Sequence, residues 1–423
     1  MQGNNYYKLS LVVLLFFIHA EVFAQGGNLV IAGGGLRDDN AEVFEEIIRL
    51  SGGSRAVVGI IPAAGGSPVQ SYLGFRDILK RYGLKETQIR LIRIATEDDK
   101  ATKEDESLWI GNAYDSATCR QIRECTGIWF SGGDQMRVTR ALLNAEGYDT
   151  PALEAIRSVL ARGGMVGGTS AGAAIQSKIM IGGGSSMGAL MYGITDIYSE
   201  KEVDGRGKLY LTQGLGFFPE GIVDQHFDRR ARMGRLAMAL FKFSDKYSLG
   251  FGIDENTALI YNLKNRFITV KGKGGVSLLD ISSASYQKKG DMPCLQNLQL
   301  SYLTAGDSLK LGIMQFIPAK NKVKVTGSEN YQITELPSTG LLSGSGFTLM
   351  DFISVYLIDN KSLDKISTVT FKVQGLGFKL ELRKVENTEG FMADLPDDEK
   401  YSFHGVRFDL IPVQLDIKEL KME

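Results

Sequence analysis

The residues best placed to do chemistry are Gly168-Thr169-Ser170-Ala171-Gly172. The spacing G-x-S-x-G is that of a nucleophile elbow, a sharp strand-to-helix turn on which small neighbours let the backbone crowd together. Ser170 would project its hydroxyl from such a turn. The N–H of Ala171, at the helix start, would face a developing oxyanion. A capping serine in an ordinary Gly-rich turn has the same spelling, so the motif needs support from the rest of the chain.

A serine hydroxyl needs a base, and the base needs a third group to fix its tautomer. The chain has three histidines, and His19 falls in the N-terminal leader. The base is therefore His226 or His404. His226 follows the apolar run Ile222-Val223 and is flanked by Asp224, Gln225, Arg230, Arg232 and Arg235. His404 lies in a β-rich tail. An open α/β sheet gathers its ligands at the carboxyl ends of its strands, which favours His226. For the orienting acid, spacing leaves Asp224, Asp254 and Glu255 open. Alternation along a strand would put Asp224 and His226 on one face. The arginines are either a solvated helix face or a cluster that holds substrate carboxylates bidentately.

The elements that must position these groups read as alternating short strands and helices. Apolar runs at 28–32, 56–61, 89–94 and 127–130 are strands. Helices lie over 40–50, from Pro68 onward, and over 150–161. This pattern gives a mostly parallel sheet flanked by helices, with Gly132-Gly133-Asp134-Gln135 and Ser170 at strand ends. Gly33-Gly34-Gly35 lacks the third glycine of a dinucleotide fingerprint and reads as a tight turn. Gly182-Gly183-Gly184-Ser185-Ser186 reads as a mobile loop, either a lid or a connection. Beyond Pro318 the chain is β-rich with no helical period. The organisation expected is a signal peptide (1–24), an α/β domain (25–318) and a separate β-rich domain or extension (319–423).

The composition is ordinary for a globular protein, with 43% hydrophobic and 23% charged residues. A formal net charge of −1 excludes a general pull toward nucleic acid. Lys8, the apolar core Leu9 to Ile18 and Val22-Phe23-Ala24 spell an export signal, so the mature chain is expected in the periplasm or outside the cell, without a membrane span. Cys119, Cys125 and Cys294 make no disulfide framework and are expected as small buried residues. No Cys/His spacing suggests a metal, and no cofactor is expected. Leu336-Pro337-Ser338-Thr339-Gly340 spells a sortase signal, but no apolar tail and basic end follow it closely, so it is read as coincidence.

Taken together, Gly132-Gly133-Asp134-Gln135, Gly168 to Ala173, Asp224-Gln225-His226-Phe227 with its three arginines, and Asp254-Glu255-Asn256-Thr257-Ala258 resemble the cyanophycinase and aspartyl-dipeptidase group of serine peptidases. The resemblance covers roughly residues 27–315. It implies a glutaminase-amidotransferase-like, flavodoxin-like fold, with Ser170 as nucleophile, His226 as base and Glu255 as acid. It implies oxyanion donors near Gly133 and Ala171, and a substrate pocket of Gln135, Asp224, Gln225, Arg230, Arg232 and Arg235. The substrate implied is cyanophycin, multi-arginyl-poly-aspartate, released as β-aspartyl-arginine dipeptides. A second copy of the chain, as a homodimer, is the other partner considered. The leader departs from the intracellular setting of storage-granule turnover. Another isoaspartyl peptidase and an exported non-catalytic relative are the alternatives, and an esterase would need a histidine after the acid, an order that only His404 meets.

Overall fold

The computed structural model describes residues 26–199, 207–337, 347–372, 375–395 and 398–416. The leader, and Ser338 to Gly340 of the sortase-like stretch, lie outside them.

The first sheet is built on five parallel strands, β1 (Asn28–Ala32), β2 (Val58–Ile61), β3 (Ile89–Leu91), β4 (Gly127–Phe130) and β5 (Met165–Thr169), in the order β1-β5-β4-β2-β3. Every residue of β2 and β4 is buried, as expected where helices cover both faces. The covering helices include α1 (Ala41–Leu50), α2 (Pro68–Arg81), α3 (Ser116–Arg123), α4 (Gln135–Leu142) and α5 (Pro151–Ala161). Both α2 and α5 begin on a proline, where the missing N–H costs nothing. The Thr150 hydroxyl caps α5 by accepting from the Leu153 N–H. β3 is shorter than the apolar run predicted. Ile92 keeps one bond to the Ile60 carbonyl, and the chain then leaves the ladder.

After β5 comes the one-turn helix α6 (Ala171–Ala174), then a small sheet of β6 (Ile179–Gly183), β7 (Ile194–Thr195) and β8 (Leu209–Gln213). The glycine run predicted as a loop is packed instead. Gly182 and Gly183 end β6, and a Cβ on Gly182 would lie 2.5 Å from the Tyr210 ring. Ser185 caps helix α7 (Ser186–Tyr192) by accepting from the Gly188 N–H at 3.0 Å.

The next strands build a second sheet. It contains β9 (Ile222–Gln225), β10 (Leu249–Ile253), β13 (Gly275–Asp280) and β15 (Met292–Thr304), with β14 (Ser285–Lys289) paired to β15. Between β9 and β10 runs helix α8 (Met233–Lys242). Strands β11 (Thr257–Asn262) and β12 (Phe267–Gly272) return to the first sheet and extend it antiparallel from β1. β16 (Ser308–Lys310) and β17 (Gln315–Ile317) finish that edge.

β18 (Val323–Lys324), β19 (Lys365–Phe371), β20 (Leu376–Arg383), β21 (Glu389–Leu395) and β22 (Asp398–Gln414) all join the second sheet. The junction is β22 against β15, with Tyr302 opposite Phe403. Period-two strands carry no sequence record of their partners, which is why the texture change read as a boundary. A short helix, α9 (Leu349–Ile353), interrupts the β-rich tail, five residues being too few to show a helical period in sequence. One apolar cluster runs from Leu236 and Leu240 on α8 through Leu300 to Phe403 and Phe408. The buried Lys322–Asp307 pair adds a charged pin at 2.7 Å.

Candidate active site

The elbow predicted at Ser170 is present. Ser170 links β5 to α6 with φ +54°, a conformation that side chains rarely adopt. Close packing of the two elements makes it possible. A Cβ on Gly168 would lie 2.7 Å from the Gly172 Cα, so only glycine lets the strand pass the helix.

Ser170 Oγ lies 2.8 Å from His226 Nε2. On the far side of the ring, Nδ1 lies 2.6 Å from Glu255 Oε1. With the ring proton on Nδ1 and donated to Glu255, Nε2 is left to accept from the serine. The three groups come from different places. Ser170 ends a strand of the first sheet and His226 follows β9 of the second. Glu255 sits in the turn by which the chain leaves β10 for β11. The line of groups therefore spans the seam between the sheets.

The last residue of β1 and the first two glycines after it join them, and sequence reading missed this. Three successive carbonyls accept from the three parts of the site. Ala32 takes the Ser170 N–H at 3.0 Å, Gly33 the His226 N–H at 2.6 Å, and Gly34 the Asn256 N–H at 2.8 Å. Each donor has positive φ, with His226 at +47° and Asn256 at +54°. Gly34, at φ +102°, lies flat on the imidazole, where a Cβ would meet the ring at 2.3 Å. The signal was available: three glycines at the carboxyl end of a sheet strand.

Of the three carboxylates left open by spacing, Glu255 is the one bonded to His226. His226 leaves the strand at its positive φ, so the alternation that would pair it with Asp224 does not hold. Asp224 is buried and bonded instead to Arg235, whose Nε and Nη2 reach it at 2.7 and 2.5 Å. Arg235 also donates to the Gly184 carbonyl at 2.6 Å. Asp224 and Arg235 are thus committed to each other and do not offer free charges to a ligand, contrary to the pocket roles expected for them. Asp254 is turned away from the imidazole and accepts from the Asp228 N–H at 3.1 Å. His404 pairs with Ser301 at 2.9 Å and stacks on Phe316.

The other pocket residues differ in freedom. Arg232 donates to the side-chain and main-chain oxygens of Gln225 and is pushed down to about 10 by burial. Gln225 is buried by this contact. Gln135 donates its amide to the Ile181 and Gly182 carbonyls at 3.1 and 2.9 Å. Arg230 is exposed and forms no ion pair with any described residue. Its charge still reaches His226, whose pKa is held below the ordinary imidazole value by burial first. The charges of Arg230 and Arg232 act in the same direction, and Glu255 opposes them.

Gly133, at φ +141°, presses on the Ala64 carbonyl, and the adjoining Gly132 packs on Ser170. No described residue accepts from the N–H of Gly133 or Ala171, so both are free to meet an oxyanion. A cavity of about 590 Å³ opens behind the arginine loop, between Phe227, Arg232 and Met233 on one wall and Met350, Phe378 and Leu410 on the other. None of Ser170, His226 and Glu255 lines it. The three cysteines are free and buried, as expected. Among the described residues no cluster of His, Cys, Asp or Glu could hold a metal, and no helix is long and apolar enough to cross a membrane.

Residues 29–268 match the model of peptidase family S51. The chain is 34% identical over 285 residues to a cyanophycinase of Geminocystis herdmanii (strain PCC 6308), covering 66% of this chain and 91% of that one. It is 33% identical over 291 residues to a cyanophycinase of Synechococcus elongatus, covering 67% and 79%. Against a cyanophycinase of Trichormus variabilis (strain ATCC 29413 / PCC 7937) the figures are 31% over 302 residues, 70% and 89%. A crystal structure of a peptidase from an acI-B1 Actinobacterium overlays with a TM-score of 0.45 at 20% identity, covering 68% of this chain and 98% of that one. The chain belongs to peptidase family S51 and is a serine-type peptidase.

Proposed function

We propose that this enzyme hydrolyses cyanophycin through an acyl-enzyme on Ser170 and releases β-aspartyl-arginine dipeptides. The observation that carries the mechanism is the bonded line Ser170–His226–Glu255 at the carboxyl end of β5. The substrate class rests on the cyanophycinase relatives.

Ser170 Oγ attacks the peptide carbonyl next to a β-linked aspartyl unit. Its proton passes to His226 Nε2, and Glu255 steadies the imidazolium that results. The N–H groups of Gly133 and Ala171 meet the oxyanion, each such donor being worth about 3 kcal/mol. His226 then protonates the departing amine. Water, activated by the same imidazole, frees the acyl group. Arg230, exposed beside the base, pairs with a substrate carboxylate, and Arg232 with Gln225 forms the wall behind it. Gln135 contributes its amide oxygen, to which no described residue donates. Asp224 and Arg235 act from below, by holding the strand end that carries Gln225 and His226. The leader over 1–24 places the enzyme outside the cytoplasm, where it digests polymer released by other cells.

The test is a release assay on the purified mature chain, residues 25–423. It is offered insoluble cyanophycin, simple α- and β-aspartyl dipeptides and a short ester, with Ser170→Ala and His226→Ala as controls. Soluble β-aspartyl-arginine from the wild type, absent from both controls, is the expected result. Turnover of the small dipeptides alone would overturn the polymer assignment. Full activity in Ser170→Ala would overturn the nucleophile.

A further inference from the structure

Asp254 precedes the acid Glu255 and has no part in the proton relay, yet it is buried and fully bonded. Its Oδ1 accepts from the Asp228 N–H at 3.1 Å. Its Oδ2 accepts from the Tyr302 hydroxyl at 2.7 Å and from the Gly275 N–H at 3.0 Å. One carboxylate therefore ties together the loop that carries His226, the turn that carries Glu255, and two strands of the second sheet.

A carboxylate placed so deep is costly unless its acceptors are filled. Burial, with the charge of Asp228 nearby, pushes Asp254 up to about 7. Its donors favour the charged form and oppose that rise, and Tyr302 is the side chain among them. Tyr302 lies beyond residue 268, where the family match ends, and its ring packs on Phe403 of β22 at 5.9 Å. Burial raises the Asp228 pKa, and from the tail the Thr348 hydroxyl and the N–H groups of Leu349 and Met350 oppose that rise while the charge of Asp351 adds to it.

We propose that Asp254 and Tyr302 are a positioning pair that holds the His226 loop against the Glu255 turn, and that the C-terminal strands serve catalysis by keeping Tyr302 in place. This rests on the triad reading of the site. The pair touches no reacting atom. It sets the distance from His226 Nδ1 to Glu255, and through it the basicity that Ser170 meets. Its signature is a loss in the chemical step with substrate binding preserved.

The test uses the full mature chain and two readouts: kcat and KM on cyanophycin, and the rate at which a fluorophosphonate labels Ser170, which needs no knowledge of the substrate. Tyr302→Phe removes one hydroxyl and keeps the ring packing. It should lower kcat and the labelling rate together by on the order of tenfold, with KM within about twofold, as a small displacement of the base predicts. Asp254→Asn keeps an acceptor for the Asp228 N–H but cannot serve both other donors. It should show the same split, and it decides the matter should Tyr302→Phe fail to fold. Unchanged kcat and labelling in a folded Tyr302→Phe, or a loss confined to KM, would overturn the proposal. Labelling that survives in Ser170→Ala would instead overturn the triad reading, so the two failures are distinct.

Discussion

Glu255→Gln isolates the charge of the acid from its shape. The glutamine amide fills the same space, and its oxygen can still accept from His226 Nδ1, now 2.6 Å from Glu255 Oε1. What is lost is the attraction between a carboxylate and the imidazolium formed during acylation. Two unit charges about 4 Å apart interact by about 4 kcal/mol at the effective dielectric of a protein surface. The Glu255 side chain is 36% exposed, so water already screens part of this. A discount to about 2–3 kcal/mol is reasonable for a half-open pair. At about 1.4 kcal/mol per tenfold, kcat falls by roughly 30- to 150-fold. The pH profile supplies the sign. His226 must be neutral to take the serine proton, so activity is lost as pH falls through its pKa. Glu255 holds that pKa up against burial and the two arginines. Without the carboxylate, the acid limb of kcat/KM moves to lower pH while the plateau drops. The assay is kcat/KM against pH, with Ser170 labelling as a check on acylation. An unchanged plateau, or an acid limb that moves up, would refute Glu255 as the charged partner of the base.

Arg230→Met makes the opposite prediction for the same limb. It removes a positive charge that depresses His226, so the acid limb moves up, and KM for cyanophycin rises as a substrate carboxylate loses its partner; equal KM in both proteins would sink the pocket role. Gly34→Ala places a Cβ where the imidazole now lies, 2.3 Å from its atoms, and should cost at least about a hundredfold in kcat in a chain that still shows native circular dichroism. Asp224→Ala should act on stability. Both side chains of its pair with Arg235 are almost fully buried, and an Arg235 left without its carboxylate costs about 3–5 kcal/mol, read as a lower midpoint of thermal unfolding. A variant as stable as the parent but with raised KM would return Asp224 to the substrate pocket.

What the sequence made legible was whatever local rules decide. β1 and β4 were readable to the residue because strands buried on both faces are short, unbroken apolar runs. The elbow was readable because close strand–helix packing demands glycine at fixed offsets. Glu255 was not separable from Asp254 and Asp224 by spacing, because the choice depends on where the chain crosses between two sheets. That crossing is a non-local fact. The sheet itself was expected to be mostly parallel, and its core is. The antiparallel strands β11, β12, β16 and β17 add to its edge after a return from the second sheet. The pairing of the tail strands was not legible for a related reason: half-buried strands announce a face and not a neighbour, and β22 finds β15 about a hundred residues upstream.

The strain at the site shows why these distant parts must be held together. Ser170, His226 and Asn256 all sit at positive φ without being glycine, and each such residue costs on the order of 1–3 kcal/mol. Asparagine and histidine tolerate this region better than most side chains and serine does not, so the surrounding structure must impose it above all at Ser170. It does so through one short piece of chain, since the carbonyls of Ala32, Gly33 and Gly34 take the three strained N–H groups in turn. A side chain on Gly34 would exclude the base, and one on Gly33 would strike the Asp254 carbonyl at 2.1 Å. The run of glycines is thus explained by geometry and not by looseness: with Ala32 it forms a strip thin enough to lie between Ser170, His226 and the Glu255 turn while bonding to Ser170, His226 and Asn256. A serine relay built across a seam between sheets needs such a strip. It also needs both sheets to be stiff, and in this chain the C-terminal strands extend the second sheet behind His226.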